Sequence, residues 1–367
     1  MNPNALYKIL KRGIRAFYNL DKIIVITLLL LAAINILVQY SANDKVIGRL
    51  ISDIAYLSIS FVLLVVVANL NLNQLKHWAT PFYIITIIFL VIVLLFGISS
   101  HGAKRWLYLG LRIQPSELCK LSVPIVLAYY YSSKHHLARY VEYSIGILLI
   151  LIPFCLIAKQ PDLGTGILVV ASGLFVLFFI GLPWRIIIVG FIILAASTPI
   201  IWHFLHDYQQ HRILTLINPQ SDPLGRGYHI IQGIIAIGSG GLYGKAYLHG
   251  TQIHLDFIPE KHTDFVVSVL AEEFGHIGVC VILILYLILI LRSLVIMKQT
   301  HDLFARVLLG SIIMSFTLYI LINMGMVAGI VPVVGVPLPF ISYGGTATLV
   351  LMLQFGIILS VARQNKY

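Results

Sequence analysis

Charge is what this chain has least of. Charged residues fill 11% of its 367 positions, and acids are the scarcer kind, 14 Asp and Glu against 25 Lys and Arg. With 59% hydrophobic residues and a mean hydropathy of +0.95, a water-soluble domain would expose large apolar patches, so that class is excluded. Cysteine is nearly missing as well. Cys119, Cys155 and Cys280 are dispersed in apolar segments and odd in number, which leaves neither a CxxC metal site nor a disulfide framework. There is no Gly-rich phosphate loop, so ATP is not the expected energy source. No repeat of about 20 to 50 residues is visible, which weakens an inverted-repeat transporter. Ser116 and Lys120 are four apart, and Ser-Asp-Asn and Lys-Thr-Gly elements are missing, so a penicillin-binding active site is not encoded. The net charge of +11 has no basic domain or groove-reading element to accompany it, which excludes nucleic acid as the partner.

What the chain does have is long apolar runs. A span needs about 20 residues, and ten such runs are predicted near 23–41, 48–70, 78–97, 116–133, 141–158, 163–181, 184–204, 264–291, 303–330 and 342–362. The expected fold is an all-α polytopic membrane protein of about ten transmembrane helices, one domain over 1–367, with a large extracytoplasmic loop at 205–263 between helices 7 and 8. Residues 1–20 carry Lys8, Lys11, Arg12 and Arg15 without a small-residue cleavage site, and read as a cytoplasmic segment. Placing them inside puts Lys76, Lys134, Arg139, Arg185, Arg292, Lys298, Arg306, Arg363 and Lys366 on the same side, as the positive-inside rule requires. Both termini are then cytoplasmic, in a multi-pass protein of a cytoplasmic membrane.

The outer side of that topology gathers Lys104, Arg105, Arg112, Lys120, Lys159, Arg212, Arg226, Lys245 and Lys261 together with most of the acids. Long loops tolerate such charge, yet the group also fits an anionic ligand. Ionisable residues at bilayer depth cost about 2.5 to 3.5 kcal/mol each, so their placement calls for a reason. Four polar motifs open on that surface. The first, His101 to Lys120, is a folded loop leading into a helix on which Glu117 and Lys120 share a face. They are either a structural ion pair or a cavity lining in which Lys120 reaches an anion and Glu117 orients it. The second, Lys159 to Thr165, is a bend in which Asp162 could cap the next helix or join a charge pair with Lys159. The third contains Arg212, the turn Asp222 to Gly225, a helical pattern from Tyr228 to Ile237 suited to the membrane interface, and a glycine run, Gly238 to Gly244, that is a weak ligand signal. The fourth, Asp256 to Gly275, places Asp264 where a polar loop meets an apolar helix. Asp264 suits helix capping and proton chemistry alike. Glu272 and Glu273 follow about two turns on, and at most one can share its direction.

Arg105-Trp106, Gln114-Pro-Ser-Glu117, Lys159-Gln-Pro-Asp-Leu-Gly164, Asp222-Pro-Leu-Gly225, Gly227-Tyr-His229, Gly238-Ser-Gly-Gly241, Pro259-Glu-Lys-His-Thr-Asp264, Asn323-Met-Gly and Gly335 to Thr346 stand in one order along nearly the whole chain. In these residues the chain resembles the SEDS (shape, elongation, division and sporulation) membrane glycosyltransferases, and Glu260-Lys261-His262 is similar to the elongation branch more than to the division branch. Tyr108, Arg226 and Thr346 depart from the usual pattern without touching a charged signature position.

The resemblance implies inverting polymerisation of lipid II, a disaccharide-pentapeptide on undecaprenyl pyrophosphate, at the outer leaflet during elongation of a rod-shaped cell. It implies Asp264 as the general base, with Lys120, Arg112, Arg105, Lys159 and Arg212 supporting pyrophosphate charge and Glu117 and Asp162 holding them. Lys261, His262 and Ser342 join the expected substrate-binding set from the same signatures. No tightly bound cofactor is expected, and with no His or Cys cluster any ion would be an oxygen-ligated Mg2+ or Mn2+. Expected partners are membrane lipids, a class B penicillin-binding protein transpeptidase and other elongation-complex proteins. The alternatives are a lipid II flippase or transporter, a division-type paralogue and a noncatalytic scaffold.

Overall fold

The structure is a computed structural model, and it describes residues 20–43, 46–100, 103–108, 112–133, 139–204, 207–218, 226–255, 257, 260–333 and 335–365. The cationic segment 1–19, Lys134, Lys366 and the Asp222 to Gly225 turn lie outside the described residues. Among the described residues the helices are α1 Lys22–Ala42, α2 Ile47–Ala68, α3 Leu72–Phe96, α4 Pro115–Ser132, α5 Arg139–Ala158, α6 Leu163–Ile180, α7 Trp184–Phe204, α8 Asp207–Ile217, α9 Arg226–Gly240, α10 Thr251–His254, α11 Val266–Gln299, α12 Leu303–Val327 and α13 Gly345–Gln364.

Eight of them are long and apolar enough to cross a membrane: α1, α2, α3, α5 over 141–158, α6, α11, α12 and α13. The chain is therefore an all-α polytopic membrane protein, with fewer spans meeting that standard than the ten expected. Of the other two, α4 is 18 residues long and opens on buried Glu117 and Lys120, which lowers its hydropathy. The apolar part of α7 is the shorter stretch Trp184–Ile200.

A second departure precedes α4. The segment expected as a loop forms three short strands, β1 Ile98–Ser100, β2 Ala103–Tyr108 and β3 Arg112–Ile113. They pair antiparallel in the order β1-β2-β3, with Ile98 opposite Trp106 and Leu107 opposite Ile113. Strand pairing satisfies backbone groups beside the bilayer, where a plain loop would leave them bare.

Of the eight spans, α12 and α13 are the most buried, with α13 the most enclosed. Phe316 of α12 packs against Tyr286 of α11, Phe355 of α13 and Phe340 of the loop before α13, with ring centroids 5.2 to 6.0 Å apart. That loop is buried and not helical, so its backbone needs side-chain partners. Asn35 and Gln39 of α1 donate to Ile341 O at 2.9 Å each, and Asn323 of α12 donates to Val336 O at 2.7 Å. The Tyr286 hydroxyl donates to Pro339 O. At one end of the bundle, isolated polar contacts join neighbouring helices: Arg292 to Asp21 at 2.6 Å, Lys76 to Asp302 at 2.6 Å and Arg363 to Asn69 at 2.8 Å. The opposite end is denser in polar groups and holds the site.

The glycine run has a packing role. Gly240 and Gly244 press α9 and its following turn against a kink in α11 at Gly275, whose φ of 67° is non-helical. A Cβ on Gly244 would stand 2.1 Å from Glu273 O. His276 N and Ile277 N, released by the kink, donate to Gly241 O and Leu242 O at 3.0 and 3.3 Å.

Candidate active site

All four polar motifs and the Gly335 to Thr346 signature meet around one cavity of about 520 Å³. Its wall takes Arg105 and Trp106 from β2, Gln114 before α4 and Glu117 in its first turn, Thr165 from α6, Arg212 from α8 and His229 from α9. Glu260, Thr263 and Asp264 come from the turn before α11, Gly335 and Tyr343 from the segment leading into α13, and Thr346 from its first turn. Helix starts dominate this wall. Each brings backbone N–H groups and a partial positive charge to its end, a setting that favours anions.

Asp264 does not cap α11. The N-cap position is Phe265, and it makes no side-chain cap hydrogen bond. Nor does Asp162, which holds the N-cap position of α6, use its carboxylate to cap that helix. It accepts from Gln114 Nε2 at 3.0 Å and pairs with Arg105 at 3.6 Å, so capping is replaced by support of an arginine in the cavity wall. Arg105 also donates to Pro161 O at 3.1 Å.

The Asp264 backbone is held by Asn323, which donates to its carbonyl at 3.1 Å. Among the described residues no donor contacts its carboxylate, which retains partial exposure where it lines the cavity. Burial raises its pKa to about 7 from 3.8; Glu260 adds to the rise and Arg212 and Arg105 oppose it. Glu260 is fixed by the Thr263 hydroxyl, which donates to its Oε2 at 2.7 Å. A carboxyl group near neutrality, in a polar cavity with two guanidinium groups, can take a proton and face an anion at once. Among the described residues no group of three or more His, Cys, Asp or Glu is gathered to hold a metal ion.

The remaining expected site residues do not line this cavity. Lys120 is buried behind Glu117 and lines a separate small cavity. Arg112 and Lys159 are exposed. Ser342 accepts from Leu338 N at 2.8 Å, and His262 O accepts from Gln39 Nε2 and Tyr343 N at 3.0 Å each, so both hold the backbone of the segment before α13. Buried Lys261 donates to Ile253 O at 2.9 Å. Glu260, His229, Gln114 and Tyr319 were missing from the expected set. The first three stand inside the signatures quoted above; Tyr319, within an apolar run, had no local polar signal.

The profile of the FtsW, RodA and SpoVE family, described as cell cycle protein, matches residues 15–367. The chain is 48% identical over 350 residues to peptidoglycan glycosyltransferase MrdB of Escherichia coli (strain K12), covering 95% of each chain. It is 30% identical to peptidoglycan glycosyltransferase RodA of Treponema pallidum, covering 96% of this chain and 99% of that one. Among solved structures it is similar, with a TM-score of 0.82 and 33% identity over 94% of this chain and 98% of the other, to a chain of a peptidoglycan synthase complex in which polymerization and crosslinking are coordinated. The crystal structure of the Thermus thermophilus rod shape determining protein RodA matches with a TM-score of 0.73 and 29% identity over 95% of this chain and 98% of that one.

Proposed function

The chain belongs to the SEDS family of peptidoglycan glycosyltransferases that act in cell elongation and shape, and from that premise we propose that it polymerises lipid II with Asp264 as general base. The observation that supports this most is the carboxylate of Asp264, without a hydrogen-bond donor among the described residues, at the wall of a cavity that also holds Arg105 and Arg212. At about 520 Å³ the space is within the range of small-ligand sites, about 300 to 1,000 Å³. It suits a sugar with its pyrophosphate, while the isoprenoid tails lie along the apolar helices outside.

The 4-hydroxyl of the acceptor sugar attacks the anomeric carbon of the donor. The new C–O bond forms as the bond to pyrophosphate breaks, and the hydroxyl proton passes to Asp264. An α-linked donor becomes a β-linked glycan in one inversion, so one base is enough, by analogy with inverting glycosidases. Pyrophosphate is already a good leaving group, and the need is for positive charge to receive it. Arg105, steadied by Asp162, and Arg212 supply that charge. Because crosslinking chemistry is not encoded here, a class B penicillin-binding protein is the partner this reading calls for.

The test is incubation of the purified membrane protein with lipid II, with and without that partner and a divalent ion. Glycan strands from wild type and none from Asp264→Asn, with unchanged folding, are expected. Polymer of normal length from the variant, or lipid II translocation without polymer from wild type, would reject the reading.

A further inference from the structure

Glu117 and Lys120 stand in an order opposite to the expected one. Glu117 lines the large cavity and also a second, water-sized cavity of about 10 Å³; Lys120 lines only the small one. Lys120 Nζ donates to Glu117 Oε1 at 2.5 Å and to the Tyr319 hydroxyl. That hydroxyl donates to Glu117 Oε2 at 3.2 Å, and the ammonium lies 4.4 Å from the centre of the Tyr319 ring. Exposure is 5% for Glu117, 4% for Lys120 and 5% for Tyr319. Both carboxylate oxygens are thus engaged from behind, within a side-chain unit shared by α4 and α12.

We propose that Glu117 is the member of this unit that meets the substrate, accepting hydrogen bonds from a sugar hydroxyl or N-acetyl N–H, and that Lys120 and Tyr319 are positioning residues acting through it. The inference rests on the reading of the large cavity as the glycosyl-transfer site. Three physical points support it. A carboxylate at the wall repels pyrophosphate, so this part of the cavity favours the donor groups of a sugar. An ammonium held between a carboxylate and a phenol ring is committed to those neighbours, and its charge offsets the cost of the buried anion. Tyr319 contacts both partners through one hydroxyl, and networks of this kind have effects that do not add when members are removed singly.

The experiment is a pair of double-mutant cycles on the full chain in lipid nanodiscs, reading lipid II Kd by equilibrium binding, kcat by polymerisation and Tm as a folding control. In the wild-type background Tyr319→Phe, which keeps the ring, weakens lipid II binding or turnover about tenfold, the size expected for a hydrogen bond to a charged group. Lys120→Met has a larger effect of the same kind. In the Glu117→Gln background each of these substitutions changes Kd by less than about twofold, because their route to substrate is already cut. Losses that multiply equally in both backgrounds overturn the proposal and make Lys120 a direct anion ligand. A Tm drop of equal size in both backgrounds, with Kd unmoved in either, also overturns it, since Tyr319 is then structural only. Should wild type neither bind nor polymerise lipid II, the functional reading fails first; multiplying losses in an active protein remove this inference alone.

Discussion

Asp264 and the pair Glu272–Glu273 sit at one end of α11 and share the same chemistry, yet the protein treats them in opposite ways. Glu272 accepts from Lys245 at 2.7 Å, Thr251 Oγ1 at 3.1 Å, Gln252 N at 3.0 Å and Ile253 N at 3.3 Å. Glu273 accepts from Ser41 at 2.5 Å and Leu248 N at 3.1 Å. These two acids tie the segment after α9 and the end of α1 to the kinked start of α11. Asp264, among the described residues, has no donor on its carboxylate and stands in the cavity wall. A carboxylate engaged at both oxygens, as Glu272 is, acts as structural mortar. An unsatisfied one keeps an energetic reason to bind a proton or a ligand.

The contrast is open to attack from its strongest side first. Asp264→Asn is expected to lower polymerisation by about 10²- to 10⁴-fold, the usual worth of a positioned general base, with no loss of Tm. Glu272→Ala should do the reverse. Loss of this buried carboxylate leaves the Gln252 and Ile253 N–H groups without their acceptor and costs about 1 to 3 kcal/mol, read as a lower Tm, with lipid II turnover per folded molecule preserved. Similar damage to folding from both substitutions would dissolve the distinction between them.

A pH-dependent version is subtler. The Asp264 carboxyl has a folded pKa of about 7 against an ordinary 3.8, so between those values the folded state holds a proton that the unfolded state has lost. Its contribution to stability is therefore complete at low pH and declines as pH rises to about 7. Asp264→Asn should then melt higher than wild type at pH 8 and nearly with it at pH 4, while Glu272→Ala melts lower at both. The smallest expected effect is on the rate profile. Turnover should rise as pH passes through about 7, because the base must be ionised. Glu260→Gln should move that rise to lower pH by removing the neighbouring negative charge, and Arg212→Gln should move it higher. A midpoint indifferent to both would separate the rise from Asp264.

Much of this was legible in the linear chain. The composition states that the protein lives in lipid, because no packing of so apolar a sequence hides it from water. Asp264 stood out because a carboxylate at the mouth of an apolar helix is costly wherever the chain goes. Other cues are local and decide less for that reason. Position alone leaves capping open for Asp162 and Asp264 beside a charge pair for one and proton chemistry for the other; in the fold each carboxylate answers to groups distant in sequence, Gln114 and Arg105 for Asp162, the cavity and Glu260 for Asp264. The β1-β2-β3 strands escape a linear reading because their cue is pairing between short segments, and the glycine run, only a weak ligand signal in the sequence, shows its packing role once α11 lies against it.

The sequence by itself determined the membrane class, most helix positions and the residue types available for chemistry, since hydrophobic period and charge scarcity are local quantities. Tertiary structure alone decided the roles. It brought Arg105, Arg212 and Asp264 from separate elements to one cavity, turned Glu117 toward that space with Lys120 and Tyr319 behind it, and left Glu272 fully engaged while Asp264 stayed available. Those outcomes depend on how helices far apart in the chain pack together, and that is energy shared among distant residues that no short window of sequence contains.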